Sequence, residues 1–389
     1  MSNSILILSS TDVDTISASF SPQDLQSIMA HVFYTISHVT DPKTGVAAPH
    51  RTALDMLSHR ALFMPARIAD IGTSIKVVSV PSVPGDIRGL PATTLVLDEN
   101  TGVAKAVINA RSLTALRTAA GKLRLNCILF FWLVVRGSSR ITRFSPSPLG
   151  SVLATTLLYP PATTNVSSLV AFGAGAQIKS HISQLLATYP SITRITIVNR
   201  TINDRVTALV DNLRASHPTA HFLAISSIDG LEGQVEAVVR GANFLCCATA
   251  STAPLFPSEW VRSGTHIILV GSYKPEMAEV DSTLVRRARV LVDSRSACGL
   301  EAGELIGAGL APGDMVEVGE LLLRSAHAQN GKWTAEVNTA RVAEVLSGRD
   351  VTMFKSVGVG AQDVAISMAV MKRGMENGIG TQITNWDWV

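Results

Sequence analysis

Ser168-Leu169-Val170-Ala171-Phe172-Gly173-Ala174-Gly175-Ala176-Gln177 is the stretch that decides the fold of this chain. Five mostly apolar residues read as a short buried strand, and a helical pattern runs on from the glycines to Tyr189. Gly173 permits the tight turn out of the strand, and Gly175 lets backbone approach a pyrophosphate at a helix N-terminus. The third small residue of the dinucleotide fingerprint would fall at Ile178, so the match is incomplete, and a lone Gly-x-Gly is often only a turn. The flanks strengthen it. Further strands fit at residues 194–199, 221–225, 244–248, 266–271 and 288–293, separated by helical stretches. Six such units in sequence predict an α/β fold with a doubly wound parallel sheet. Gly173, Gly175, Ala176 and Gln177 are then the expected pyrophosphate contacts.

The end of the second strand selects the nucleotide. An NAD site usually places Asp or Glu there to accept from the ribose 2′-hydroxyl. This chain has Asn199-Arg200-Thr201, with no acid. A guanidinium and hydroxyls suit a 2′-phosphate, so NADP(H) is expected over NAD(H). The bland alternative is that Arg200 only sits in solvent at the sheet edge.

The chain has 389 residues, 47% apolar and 16% charged, which suits two domains with a large core and excludes a disordered chain or solvated coiled coil. A net charge of +3 predicts neither a nucleic-acid footprint nor an acidic partner. Four cysteines without a CxxC pair fit a reduced intracellular protein. No segment reaches the roughly 18–20 apolar residues needed to span a bilayer. Residues 1–10 lack a basic region ahead of their Ile-Leu-Ile-Leu run, so a first strand is expected rather than a signal peptide, and the cytoplasm is the default compartment.

Three cations in the N-terminal part stand in unusual company. Arg51 follows His50 and a proline. Lys76 interrupts the β-branched strand pattern Ser74-Ile75-Lys76-Val77-Val78, and Arg117 lies in the small-residue helix pattern Leu113-Thr114-Ala115-Leu116-Arg117-Thr118-Ala119-Ala120. Singly, each reads as a surface or snorkelling cation. Together they can hold one carboxylate, arginine as a bidentate fork and lysine as a point charge or proton donor.

At these residues the sequence resembles the ornithine cyclodeaminase/mu-crystallin family. The resemblance rests on Met64-Pro65-Ala66, the Ile75-Lys76-Val77-Val78 strand, Gly89-Leu90-Pro91 leading to Leu97, and the Leu-Thr-Ala-x-Arg-Thr-Ala-Ala motif. It continues through the glycine turn, Phe354-Lys355-Ser356-Val357-Gly358 and Asp363. It implies a Rossmann domain inserted into a second α/β domain for substrate binding and homodimerisation. The expected division is 1–121 for the first part of that domain, 122–150 for an atypical insertion and 151–165 for a connecting helix and linker. Residues 166–350 are the expected Rossmann domain and 351–389 the return to the substrate domain. The resemblance also implies that Arg51, Lys76 and Arg117 hold the α-carboxylate of a small amino-acid-derived substrate. Thr249, Val270, Gly271, Ser356 and Gly358 join the expected cofactor contacts. Asn199-Arg200-Thr201 is similar to the NADPH-using ketimine reductase branch, in agreement with the charge argument.

One departure bears on the reaction. Cyclodeaminases carry Val-Gly-x-Asp-x-Pro, whose aspartate serves as acid/base; here the segment reads Val270-Gly271-Ser272-Tyr273-Lys274-Pro275. A tyrosine, with an ordinary pKa near 10, is no resting base, although it can donate a proton. Glu279 and Asp281 are nearby substitutes in sequence. Reduction of a cyclic ketimine carboxylate needs a bound carboxylate, a protonated C=N and a dry face for the nicotinamide. Lys76 is the expected proton donor, with Tyr273 as a second catalytic candidate. Ornithine or lysine cyclodeamination is the runner-up, and a cofactor- or ligand-binding protein without useful turnover is the third reading.

Other motifs carry less. No HExxH, Gly-x-Ser-x-Gly or Cys/His cluster at metal spacing is present, so no metal is expected. His50, which beside Arg51 could line the site, and Cys246-Cys247 read first as structural, and Asp363 as a cap for the last helix. Residues 122–150 hold five of the basic residues and no acid, and a consecutive apolar run fills 128–135. Consecutive apolar residues argue against an amphipathic membrane helix. Joining Ala120 through one glycine to Ser151 restores unbroken helical spacing. Gly121-Lys122 and Leu149-Gly150 can both be encoded by splice-site sequences, so the segment is read as a translated retained intron. Without it the chain carries a small net negative charge.

Overall fold

The computed structural model describes residues 4–20, 22–82, 90–111, 149–228, 232–325 and 333–386. Arg117 and most of the insertion, residues 122–148, lie outside them.

Two eight-stranded sheets organise the chain. In the first, the strands run in the order Thr381–Thr384, Ser4–Leu8, Ala104–Asn109, Ala92–Leu97, Gly72–Pro81, His59–Ile68 and Val46–Ala47, with Thr52–Asp55 paired to the outer half of His59–Ile68. Only Ser4–Leu8 and Ala104–Asn109 pair in parallel; the others are antiparallel. The last helix, Gly360–Glu376, packs across His59–Ile68 and Gly72–Pro81. Side chains alternate across a strand, so Ser74, Lys76 and Val78 share the buried face beneath that helix. Gly72 is required at the strand's start: its φ is +145°, and a Cβ there would come within 2.8 Å of Met368 Cε.

The second sheet is parallel throughout. Its order is His221–Ser226, Arg194–Asn199, Ser168–Phe172, Phe244–Cys247, His266–Leu269, Val351–Lys355, Ala288–Val292 and Met315–Glu317. The chain is therefore a mixed α/β protein with a Rossmann-type doubly wound sheet. Ser168–Phe172, Phe244–Cys247 and Val351–Lys355 are buried along their whole length, as strands covered on both faces must be.

All six expected strands are present, and two more join them. Met315–Glu317 has three residues, too few to show a pattern. Val351–Lys355 fits between His266–Leu269 and Ala288–Val292, so the parallel sheet extends five residues past the expected boundary at 350. A charged residue at its end had masked the strand: Lys355 is fully buried against Glu304, with 2.8 Å between Nζ and Oε1. The helix Leu149–Leu158 begins within the last residues of the insertion and packs against the helix Pro22–His38. A Cβ on Gly150 would approach Phe33 Cζ to 3.1 Å, so this position favours glycine.

Candidate active site

The glycine turn lies where the strand order reverses, at the carboxyl ends of Ser168–Phe172 and Phe244–Cys247. Gly173 has φ +108° and donates its N–H to the Val198 carbonyl at 2.8 Å. A Cβ there would stand 2.9 Å from the Ala248 carbonyl oxygen, so conformation and space both demand glycine. Gly175 N-caps the helix Ala176–Thr188 with no side-chain cap bond. Gln177, in the helix's first turn, has a buried Oε1 with no hydrogen-bond partner among the described residues. A glycine turn, an uncapped helix start and a spare acceptor together fit a dinucleotide's pyrophosphate and ribose.

At the end of the second strand, Asn199 Nδ2 donates to the Thr201 carbonyl at 2.9 Å, and Ser226 Oγ donates to the Arg200 carbonyl at 2.8 Å. These bonds fix the turn's backbone and leave the Arg200 and Thr201 side chains exposed at the mouth of the cleft. Asn199 shapes the turn, a task its sequence position did not reveal.

The ends of the fourth and fifth strands are tied together from below. Glu279 is fully buried and accepts from Thr249 N at 2.6 Å, Thr249 Oγ1 at 3.0 Å and Gly271 N at 2.8 Å. Burial pushes its carboxyl up, while nearby Lys355 and the two backbone donors pull it down. Asp281 caps the helix Ser282–Arg287, accepting from Leu284 N at 2.7 Å and from Ser258 N at 3.1 Å. Both neighbouring acids are thus committed to structure, and neither replaces the missing aspartate as a free base. Tyr273 is partly exposed at the end of the fifth strand, with Lys274 Nζ 5.7 Å from its ring centre. Val270, beside it, donates its N–H to the Cys247 carbonyl at 3.0 Å.

Ser356 and Gly358 are brought together by Asp293, which the sequence reading missed. Asp293 Oδ2 accepts from Ser356 Oγ at 2.7 Å and from Gly358 N at 2.9 Å, where Gly358 turns at φ +76°. The available signal was an acid directly after an apolar strand, on the side of the sheet where ligands bind.

The same loop meets one of the three expected cations, and the helix after it meets a second. Arg51 Nη2 donates to the Val357 carbonyl at 3.2 Å, but its fork is engaged by Glu301: Nε donates to Oε1 at 2.8 Å and Nη2 to Oε2. His50 Nδ1 lies 3.3 Å from the same carboxylate. Lys76 Nζ donates to Asp363 Oδ1 at 3.1 Å, with both side chains at least nine-tenths buried. Asp363 is therefore not the helix cap that the sequence suggested. Val359 holds the cap position without a side-chain bond, and the carboxylate turns inward to the buried lysine.

The model of the Ornithine cyclodeaminase/mu-crystallin family matches residues 151–378, starting at the residue directly after the insertion. Protein SAR DEFICIENT 4 of Arabidopsis thaliana is 32% identical over 210 residues, covering 52% of this chain and 57% of that protein. Ketimine reductase mu-crystallin of Mus musculus is 27% identical over 341 residues, covering 85% of this chain and 86% of the relative. A solved structure of Thermococcus litoralis Delta(1)-pyrroline-2-carboxylate reductase, in complex with NADH and L-proline, superposes with a TM-score of 0.71. It is 21% identical and covers 97% of this chain and 100% of that one, a likeness of fold.

Proposed function

This chain belongs to the ornithine cyclodeaminase/mu-crystallin family, and from that premise we propose that it reduces a cyclic ketimine carboxylate with NADPH, NADH being the lesser donor. The product is a cyclic imino acid of the proline or pipecolate type. The observation that carries this reading is what stands at the end of the fifth strand in place of the cyclodeaminase aspartate. Tyr273 stands there, and Glu279 and Asp281 are held by backbone donors. A cyclodeaminase must take protons from an amine during ring closure, whereas a reductase only delivers one.

Bound nicotinamide supplies the hydride. The protein's own share is placement and protonation. In this reading Asp293 holds Ser356 and Gly358, and Glu279 holds Thr249 and Gly271, forming the rigid floor of the cofactor site. Arg51, with Arg117, takes the substrate carboxylate as a fork, releasing Glu301. Lys76 gives a proton to the ring nitrogen, and Asp363 holds its ammonium group in place within the buried site. Tyr273 donates a hydrogen bond near the reacting carbon. The first sheet and the last helix form the substrate and dimerisation half. Exposed Leu54, Met56 and Leu57 supply an apolar edge for a second copy.

The test compares NADPH consumption on pyrroline- and piperideine-2-carboxylate with ammonia release from ornithine and lysine plus NAD+. Oxidation of NADPH by an imine supports the proposal. Ammonia release without imine reduction would replace it with cyclodeamination, and neither activity would leave a ligand-binding protein.

A further inference from the structure

The turn after the second strand carries one cation that sequence reading singled out, Arg200. The structure adds another. Arg205 lies at the start of the helix Asp204–Ser216, yet its side chain folds back across the cleft mouth to the glycine turn. Its Nε donates to the Ala174 carbonyl at 2.9 Å, and its Nη2 stands 3.0 Å from where a Cβ on Gly175 would be. Ala174 is the residue between the two glycines. The guanidinium is thus anchored through one nitrogen beside the place where a nucleotide's backbone must pass, and among the described residues its Nη groups are left for further partners.

The surroundings fit a phosphate monoester better than a pyrophosphate. The helix Asp204–Ser216 is capped by its own Asn203, whose side chain accepts from Val206 N at 3.2 Å. Its N-terminus is therefore occupied, and an anion here must rely on side chains. The uncapped amides of the helix Ala176–Thr188 serve the pyrophosphate instead. Arg200 and Thr201 stand on the second-strand side of the cleft, and Arg205 reaches over from the next helix. Asp204 is the acid adjacent in sequence, and it faces solvent.

We propose that Arg205, together with Arg200, binds the adenosine 2′-phosphate of NADP(H), so that the cofactor choice rests on a two-arginine clamp closed over the glycine turn. This rests on the NADPH reading above and deepens it. Arg205 is a specificity residue that the second-strand motif does not contain. The anchoring bond to Ala174 orients the fork before ligand arrives, which lowers the entropy lost on binding.

The experiment measures binding of adenosine 2′,5′-bisphosphate and of 5′-AMP by calorimetry to the full chain and to its Arg205→Ala, Arg205→Lys and Arg200→Ala variants. The unaltered chain should prefer the bisphosphate. Arg205→Ala should lose on the order of tenfold to a hundredfold affinity for it, the value of a charge-assisted hydrogen bond, while 5′-AMP affinity changes less than about twofold. Arg205→Lys should recover part of the loss. Equal losses for both ligands would assign Arg205 to the pyrophosphate or to the fold, and no loss for either would make it a surface cation; each overturns the proposal. If the unaltered chain itself shows no preference, the NADPH reading fails and takes this one with it. A preserved preference in Arg205→Ala that is lost in Arg200→Ala defeats the Arg205 proposal alone. Arg205 is exposed, so a thermal melt of the alanine variant matching the parent shows that the comparison is between folded proteins.

Discussion

Arg51 and Glu301, 250 residues apart, form a two-pronged ion pair that joins the loop before the strand Thr52–Asp55 to the helix Arg295–Glu301 beside the second sheet. Both side chains are largely buried, and the pair uses the fork that a substrate carboxylate would need. If Arg51 takes the substrate carboxylate as proposed, Glu301 competes with substrate for it. Glu301→Gln should lower KM for an imine carboxylate several-fold, with kcat changed less. A raised KM would mean that Glu301 instead holds Arg51 in its working position.

Removing the partner of a buried charge costs more than the pair contributes. Asp363→Asn leaves Lys76 without its carboxylate in a nearly water-free place and should cost about 3–5 kcal/mol in urea unfolding. The double change Lys76→Met with Asp363→Leu should recover most of that stability while abolishing turnover. If the double variant is no more stable than Asp363→Asn, the charge is not what the aspartate stabilises.

Two buried histidines set an acid limit. His181, bonded to Ser151 Oγ at 3.0 Å and to the Gln177 carbonyl at 2.8 Å, is pushed down to about 4 by burial. His266, between Thr155 and Thr352, is pushed down to about 3 by the same cause. Because the folded values lie below the unfolded one, the unfolded chain binds more protons once the pH drops under about 6.5. Stability is full above that value and is lost as pH falls toward the folded pKa values, on the order of 2 kcal/mol per histidine by about pH 5. His266→Gln should flatten this slope in melts taken between about pH 7 and 5, and an unchanged slope would contradict the assignment.

Gly271 has no room for a side chain. A Cβ would fall 2.0 Å from the Thr249 carbonyl oxygen and 2.5 Å from Glu279 Oε1. Gly271→Ala must push the fourth- and fifth-strand ends apart and should destabilise by about 1–3 kcal/mol or more. Weaker cofactor binding should accompany it, read by fluorescence titration with NADPH. A stable variant with parental affinity would show that the two loops move independently.

The insertion can be tested by deleting residues 122–150, so that Gly121 takes the place of Gly150 against Phe33. The shortened chain should melt at or above the temperature of the full one, because the join restores helical spacing to the sequence around Arg117 and removes the 128–135 apolar run. A lower melting temperature would assign the segment to the fold. Peptides running from Ala120 through a single glycine to Ser151 in material from the source would identify it as intron.

Much of this protein was legible in one dimension because its signals are local. The glycine turn needs a positive φ and close backbone approach, and only glycine meets both demands at Gly173, so the switch point could be read from the residue type. Strand periodicity found six of the eight parallel strands, and spaced motifs indicated the family. What the sequence could not decide were pairings across hundreds of residues. Lys76 looked misplaced in its strand until Asp363 arrived from the last helix, and Arg51 looked free until Glu301 met it. Glu279 and Arg205 carry no distinguishing pattern of their own, and Asp293 only its place after an apolar strand. Their tasks exist because the fold sets a carboxylate under two loop amides, or a guanidinium across a turn. Backbone conformation and apolar periodicity are written residue by residue. The position of a charge, and hence the chemistry it performs, is set by whichever distant group folding places within about 3 Å of it.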